Sequence, residues 1–237
     1  MSLPKISQAT HSITLPVSGK KFRFRAFTVR EEKIILMAKQ SGQKSDIIAA
    51  FKQLIANCCL DPIDIDNMST VDIEYFFIML RAKSVSNITK IKIADSKQPE
   101  IEVDLEAVKV HKSTLSNKLQ LDKEVGVILR HPTFATIQKL EEFVDADGKV
   151  SSAVESNSIL FRELIDKIYD SKQVYETSEY SDQELDEFIA DMNQEQSNKV
   201  KAFFEDMPYL YFDIEYTNAK TNEKETKRVR GLDNFFF

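Results

Sequence analysis

The chain has 237 residues, 42% of them apolar, with 16 Phe and 7 Tyr, which is enough for a real core in one large domain or two small ones. Its 38 acidic and 32 basic residues leave a formal charge of −6. That balance excludes a chain dominated by affinity for nucleic acid and, with this apolar content, wholesale disorder.

Residues 1–8 lack the long apolar run of a signal peptide, and no stretch reaches the roughly 18 apolar residues that read as a membrane span. Ile13, Leu15 and Val17 alternate with polar neighbours, Gly19 follows, and Phe22, Phe24 and Ala26 alternate with Arg23 and Arg25. Two period-two runs around a glycine predict a β-hairpin. Thr28 with Glu31 three residues later forms a capping box for a helix that stops near Gly42. A second helix over residues 47–60 is apolar around nearly its whole circumference and is expected to be central. It contains Cys58 and Cys59, the only cysteines. Adjacent cysteines seldom bridge, so a secreted disulfide scaffold is excluded and a reducing cytosol is expected. Ser69 and Asp72 cap a third buried helix, residues 71–83.

Alternation returns over residues 88–94 and 100–110, a second hairpin. Short strands follow at 119–121 and 125–129, then helices at 133–144 and 159–169. Residues 176–206 hold ten acidic and two basic side chains. They read as two helices, the first capped by Ser181 and Glu184, the second ending before Met207-Pro208. Residues 209–216 and 225–230 form a third hairpin, and the sequence closes on Phe235-Phe236-Phe237. Strands and helices are segregated, so the expected class is α+β, with hairpins at both ends and in the middle packed on buried helices. The expected division is residues 1–132 and 133–237, or one continuous domain.

Chemistry is sparse. Cys58, Cys59, His11, His111 and His131 show no zinc spacing, and no nucleophile elbow, P-loop or dinucleotide fingerprint occurs. Asp64 and Asp66 would do acid–base work only in a pocket that shifts their pKa values. Lys20, Lys21, Arg23, Arg25, Arg30 and Lys33 interleave with Phe22, Phe24 and Phe27. This is a nucleic-acid stacking strand or, as the preferred reading, a hairpin with aromatics inward and charges outward. Lys227, Arg228 and Arg230 read as a solvated strand face or as contacts of the acidic segment. Three consecutive aromatics at 235–237 would be adhesive in water, so they fold into their own core or plug a groove on another chain.

Four segments carry a resemblance: residues 22–33 (FRFRAFTVREEK), 72–84 (DIEYFFIMLRAKS), 203–208 (FFEDMP) and the ending from Gly231-Leu232 to Phe236-Phe237. Through them the chain resembles the T4-type bacteriophage baseplate hub proteins, a family holding a hub-associated subunit and a hub-assembly factor. The resemblance implies a non-enzymatic role without cofactor or metal, in building the hub of a contractile tail. It implies other baseplate hub or tail proteins as partners, with the host cytoplasm during assembly and the virion baseplate as locations. An assembly factor working by transient contacts is the expected function. A subunit of the finished hub is the alternative, and a nucleic-acid-associated phage protein a remoter one. The candidate partner contacts are Phe22, Phe24, Arg25, Arg81, Phe235, Phe236 and Phe237.

Overall fold

A computed structural model describes residues 6–42, 44–141 and 153–230. It has the α+β architecture expected, with small antiparallel sheets packed on helices. The chain packs as two compact units, residues 1–111 with 209–237 and residues 112–208. The boundary expected at residue 132 falls inside the second unit.

The first unit opens with the antiparallel pair β1 (Thr10–Thr14) and β2 (Lys21–Arg25), in which Ile13 faces Phe22. Alternation turns Ile13, Phe22 and Phe24 inward. Helix α1 (Val29–Ser41) follows and ends on Gly42, whose φ of 69° is the left-handed conformation that glycine adopts without strain. Helix α2 (Lys44–Cys58) buries Ala50, Leu54, Ile55 and Cys58 but exposes Ala49, Gln53, Ala56 and Asn57. It is therefore one-sided rather than central, because two of the alanines that made its circumference look apolar face outward.

The central helix is α3 (Thr70–Ser84), which buries Val71, Ile73, Phe76, Phe77, Ile78, Leu80 and Ala82. Phe76 meets Phe24 at 5.4 Å between centroids, and Phe77 meets Phe51 edge-on at 4.4 Å. Next come the hairpin β3 (Ile88–Ile91) and β4 (Ile101–Asp104), a 3-10 turn over Leu105–Ala107, and β5 (Lys109–His111). The turn splits the single strand expected over 100–110. The Asp104 carboxylate accepts from the Glu106 N–H at 3.0 Å and caps that turn.

The second unit builds an antiparallel sheet from β6 (Lys118–Gln120), β7 (Gly126–Leu129), β8 (Ile165–Tyr169) and β9 (Val174–Glu176), in that spatial order. Helices α4 (Phe134–Glu141) and α5 (Ala153–Leu164) lie between β7 and β8 in sequence. The helix expected over 159–169 ends at Leu164, and the chain runs straight into β8. Leu164, Ile165 and Ile168 share a helix-like spacing, but a partner strand on each side claims residues 165–169. Helices α6 (Asp182–Ala190) and α7 (Gln194–Glu205) complete the unit. Its core joins Leu121, Val127, Leu129 and Ile165 to Val200 and Phe203 of α7.

The chain then returns to the first unit as β10 (Tyr209–Thr217) and β11 (Lys224–Arg230). These extend β5 into the three-stranded sheet β11-β10-β5. One face of that sheet, with Leu210, Phe212, Ile214 and Val229, packs on Ile78, Ile91, Val103 and Leu105.

Candidate functional site

Phe22 and Phe24 face the core of the first unit, Phe24 with 1% of its surface exposed. Arg25 is a tie between three elements. Its Nη2 donates to Glu31 Oε1 of α1 at 2.9 Å and to the Asn57 carbonyl of α2 at 3.0 Å, and its Nη1 donates to the Ala26 carbonyl at 2.9 Å. Glu31 in turn accepts from the Thr28 N–H at 2.8 Å and from its hydroxyl. Burial pushes the Glu31 carboxyl up, but the Arg25 and Thr28 donors outweigh it and hold the pKa at about 2. Arg23 makes a bidentate pair with Asp61, Nε to Oδ1 at 3.0 Å and Nη2 to Oδ1 at 2.7 Å, with a further bond from its own N–H to Oδ2. Arg81 donates to the Ser86 carbonyl at 3.5 Å and the Thr89 hydroxyl at 3.4 Å, and burial lowers its pKa. Phe235, Phe236 and Phe237 lie outside the described residues.

The other chemical candidates are scattered. Asp66 pairs with Lys52, whereas Asp64 accepts from Asn67 at 2.7 Å, so the two carboxylates have separate partners. Burial pushes the Cys58 thiol up to about 11, which keeps it protonated at neutral pH. Among the described residues no three His, Cys, Asp or Glu side chains group to hold a metal, and no helix is long and apolar enough to cross a membrane.

Two features stand out that the sequence reading missed. In the second unit a cleft of about 380 Å³ is lined by Val125, Ile168, Leu185 and Phe188, with Tyr175 and Tyr180. Asp170 and Glu184 also line it, and the Tyr175 hydroxyl donates to Asp170 at 2.9 Å. In the first unit, the outer face of β11-β10-β5 carries an aromatic and cationic ladder. Tyr211 pairs in register with Arg230 and with Lys109, and Tyr209 with His111. The Arg230 guanidinium stacks over Tyr209 at 3.7 Å and donates to its hydroxyl at 2.8 Å. His111 stacks on the same ring at 4.7 Å. Arg228 stacks over Tyr211 at 4.0 Å, and its Nε donates to Asp213 at 2.8 Å. Asp213 also accepts from Lys109 at 3.2 Å, and these cations, Arg228 foremost, hold its carboxyl below the usual range. The sequence signal was alternation: i, i+2 spacing puts both tyrosines on one face of β10 and both arginines on one face of β11.

Among the described residues the charged and aromatic side chains named above are paired or stacked with one another. A family model described as T4 bacteriophage base plate protein matches residues 8–237. The chain belongs to this family. The match runs through both units, so the second unit is part of the base plate protein and not an appendage outside the family pattern. Membership makes other phage tail proteins its partners and the virion base plate its setting. No curated protein and no solved structure matches the chain.

Proposed function

We propose that this base plate protein is a non-enzymatic assembly factor for the hub of a contractile phage tail, acting through transient contacts with other hub or tail proteins. The observation that carries the reading is the character of the exposed surface. Lasting subunit interfaces are large and apolar, like a core cut in half. Here the aromatic-rich segments of β2 and α3 are core. Among the described residues the exposed large apolar side chains are three on α1, Val29, Leu36 and Met37, and single residues such as Leu60, Val85 and Val174 elsewhere. Among the described residues the ladder of β11-β10-β5 is a patch of charged and aromatic side chains, and charged surfaces favour fast, reversible association. The test is quantitative mass spectrometry of purified particles beside a lysate of infected cells. An assembly factor is abundant in the lysate and absent from particles. A fixed copy number in particles would make the protein a structural hub subunit instead.

The N-terminal hairpin is not well built for nucleic acid. Its Phe22 and Phe24 rings are buried, and Arg23 and Arg25 are bound to carboxylates. A gel shift with single-stranded DNA at low salt is expected to show no retardation that depends on Lys20 and Lys21. Binding lost in a Lys20→Glu, Lys21→Glu variant would restore the nucleic-acid reading.

A further inference from the structure

Charge in this protein is divided between its two units. Residues 112–208 carry 20 acidic and 11 basic side chains, a formal −9, whereas the remainder carries 18 acidic and 21 basic, a formal +3. In the second unit the acidity is concentrated on α6, α7 and the turn before them, where Glu179, Asp182, Glu187, Asp191 and Glu195 are exposed. In the first unit the cationic counterpart is the outer face of β11-β10-β5. The Lys109 side chain there is 57% exposed and that of Arg228 46%. Arg230 is exposed as well.

We infer that this ladder, Lys109, Tyr209, Tyr211, Arg228 and Arg230, docks the acidic α6–α7 surface of a second copy of this chain. Three physical points lead there. First, tyrosine and arginine dominate the energetics of protein interfaces, and these four are already stacked on one another. Stacking fixes each guanidinium plane before a partner arrives, so less side-chain entropy is lost on binding. Second, the ring faces are already in use. Tyr209 carries both a guanidinium and an imidazole, and Tyr211 a guanidinium. Nucleic-acid bases need open ring faces to stack on, so carboxylates are the better-matched partner. Third, a carboxylate-rich surface of the required sign is present on the same molecule, and its acids outnumber its bases ten to two over residues 176–206. Contact between two different patches is heterologous, and such contacts grow into open assemblies unless the rotation closes a ring. The inference is independent of whether the protein leaves the finished hub.

The test is sedimentation velocity of the full chain across a concentration series, in about 50 mM and about 500 mM salt, where the Debye length falls severalfold. At low salt the weight-average mass is expected to rise with concentration past twice the 27.2 kDa monomer. At high salt it should return to the monomer. Lys109→Glu with Arg230→Glu should stay monomeric at low salt, and so should Glu179→Lys with Glu187→Lys. Arg228 is retained in the first variant, so Asp213 keeps a partner. Mixing the two variants should restore growth, because each patch of one variant then meets a patch of opposite sign on the other, while contacts between like variants repel. Combining all four changes in one chain should restore it, since both patches are then reversed together. The inference is overturned by a wild-type monomer at every concentration, by an oligomer indifferent to salt, or by single-patch variants that assemble like wild type. A monomer that instead shifts DNA, with the shift lost in Lys109→Glu, Arg230→Glu, overturns it in favour of nucleic acid.

Discussion

Glu31 shows how one side chain ties three elements together. Its carboxylate satisfies the first turn of α1 through Thr28 and anchors Arg25, which in turn holds the end of α2. Hydrogen bonds to charged groups contribute about 1.5–3 kcal/mol, so Glu31→Gln should lose about that much stability near neutral pH. The pH dependence follows from the sign of the shift. The carboxyl titrates at about 2 in the folded chain and at about 4.3 when unfolded. Its contribution is therefore complete above roughly pH 5 and disappears as pH falls toward 2. Thermal melts of wild type and Glu31→Gln should differ most near pH 6 and converge only as the pH falls to about 2. A deficit of the same size at both would remove the charge from the explanation. Asp72 illustrates the same economy differently. The N-cap role of Ser69 is present, with its hydroxyl accepting from the Asp72 N–H at 3.2 Å. The Asp72 carboxylate, however, accepts from the N–H groups of Val17 at 2.8 Å and Ser18 at 3.0 Å, fastening the β1–β2 loop to the start of α3.

Among the elements, β7 is tightly constrained at Gly126. A Cβ on Gly126 would lie 2.7 Å from the Leu119 carbonyl and inside contact distance of the Tyr169 ring. Strand β7 therefore accepts glycine alone here, with Tyr169 lying over it and its hydroxyl directed at β6, 3.0 Å from Gln120 Oε1. Gly126→Ala should cost about 1–3 kcal/mol by overpacking, read as a lower midpoint in urea with an unchanged slope. Adding Tyr169→Ala should recover only part of this, because the Leu119 carbonyl is backbone. Full recovery would mean that the ring alone sets the constraint. Local signals in the sequence carry much of this level. Alternation reveals the hairpins β1–β2, β3–β4 and β10–β11, the Ser181 and Glu184 pair marks the start of α6, and Gly42 marks the end of α1. Residues 165–169 are not legible, because their helical spacing is overridden by strands on either side. Nor is the ladder on β10 and β11. Its residues look like ordinary alternation until the register sets Tyr211 opposite Arg230 and brings His111 beside Tyr209. Phe22 and Phe24 look like a contact surface because they stand beside arginines, but the same alternation that turns Arg23 and Arg25 to the other face buries the rings.

For the molecule as a whole, the second unit is a continuous stretch of 97 residues with its own sheet and core, set between two strands of the first. A fragment of residues 112–208 is long enough to fold alone. It should give dispersed amide resonances and a single cooperative melt. A fragment that stays unfolded would show that its core depends on the rest of the chain. The two strands that flank it are neighbours, since His111 of β5 is the register partner of Tyr209 of β10. Synthesis runs in one direction, and at about 5–20 residues per second the ribosome needs roughly 5–20 s to pass from β5 to β10. Throughout that interval β5 has emerged without its partner, while the whole of the inserted unit becomes available to fold. The N-terminal segment of the first unit, residues 1–111, is thus made earliest, and the unit is finished last. Its sheet closes only when the chain comes back, so a nascent chain that ends before residue 209 carries the whole acidic unit and an incomplete first one.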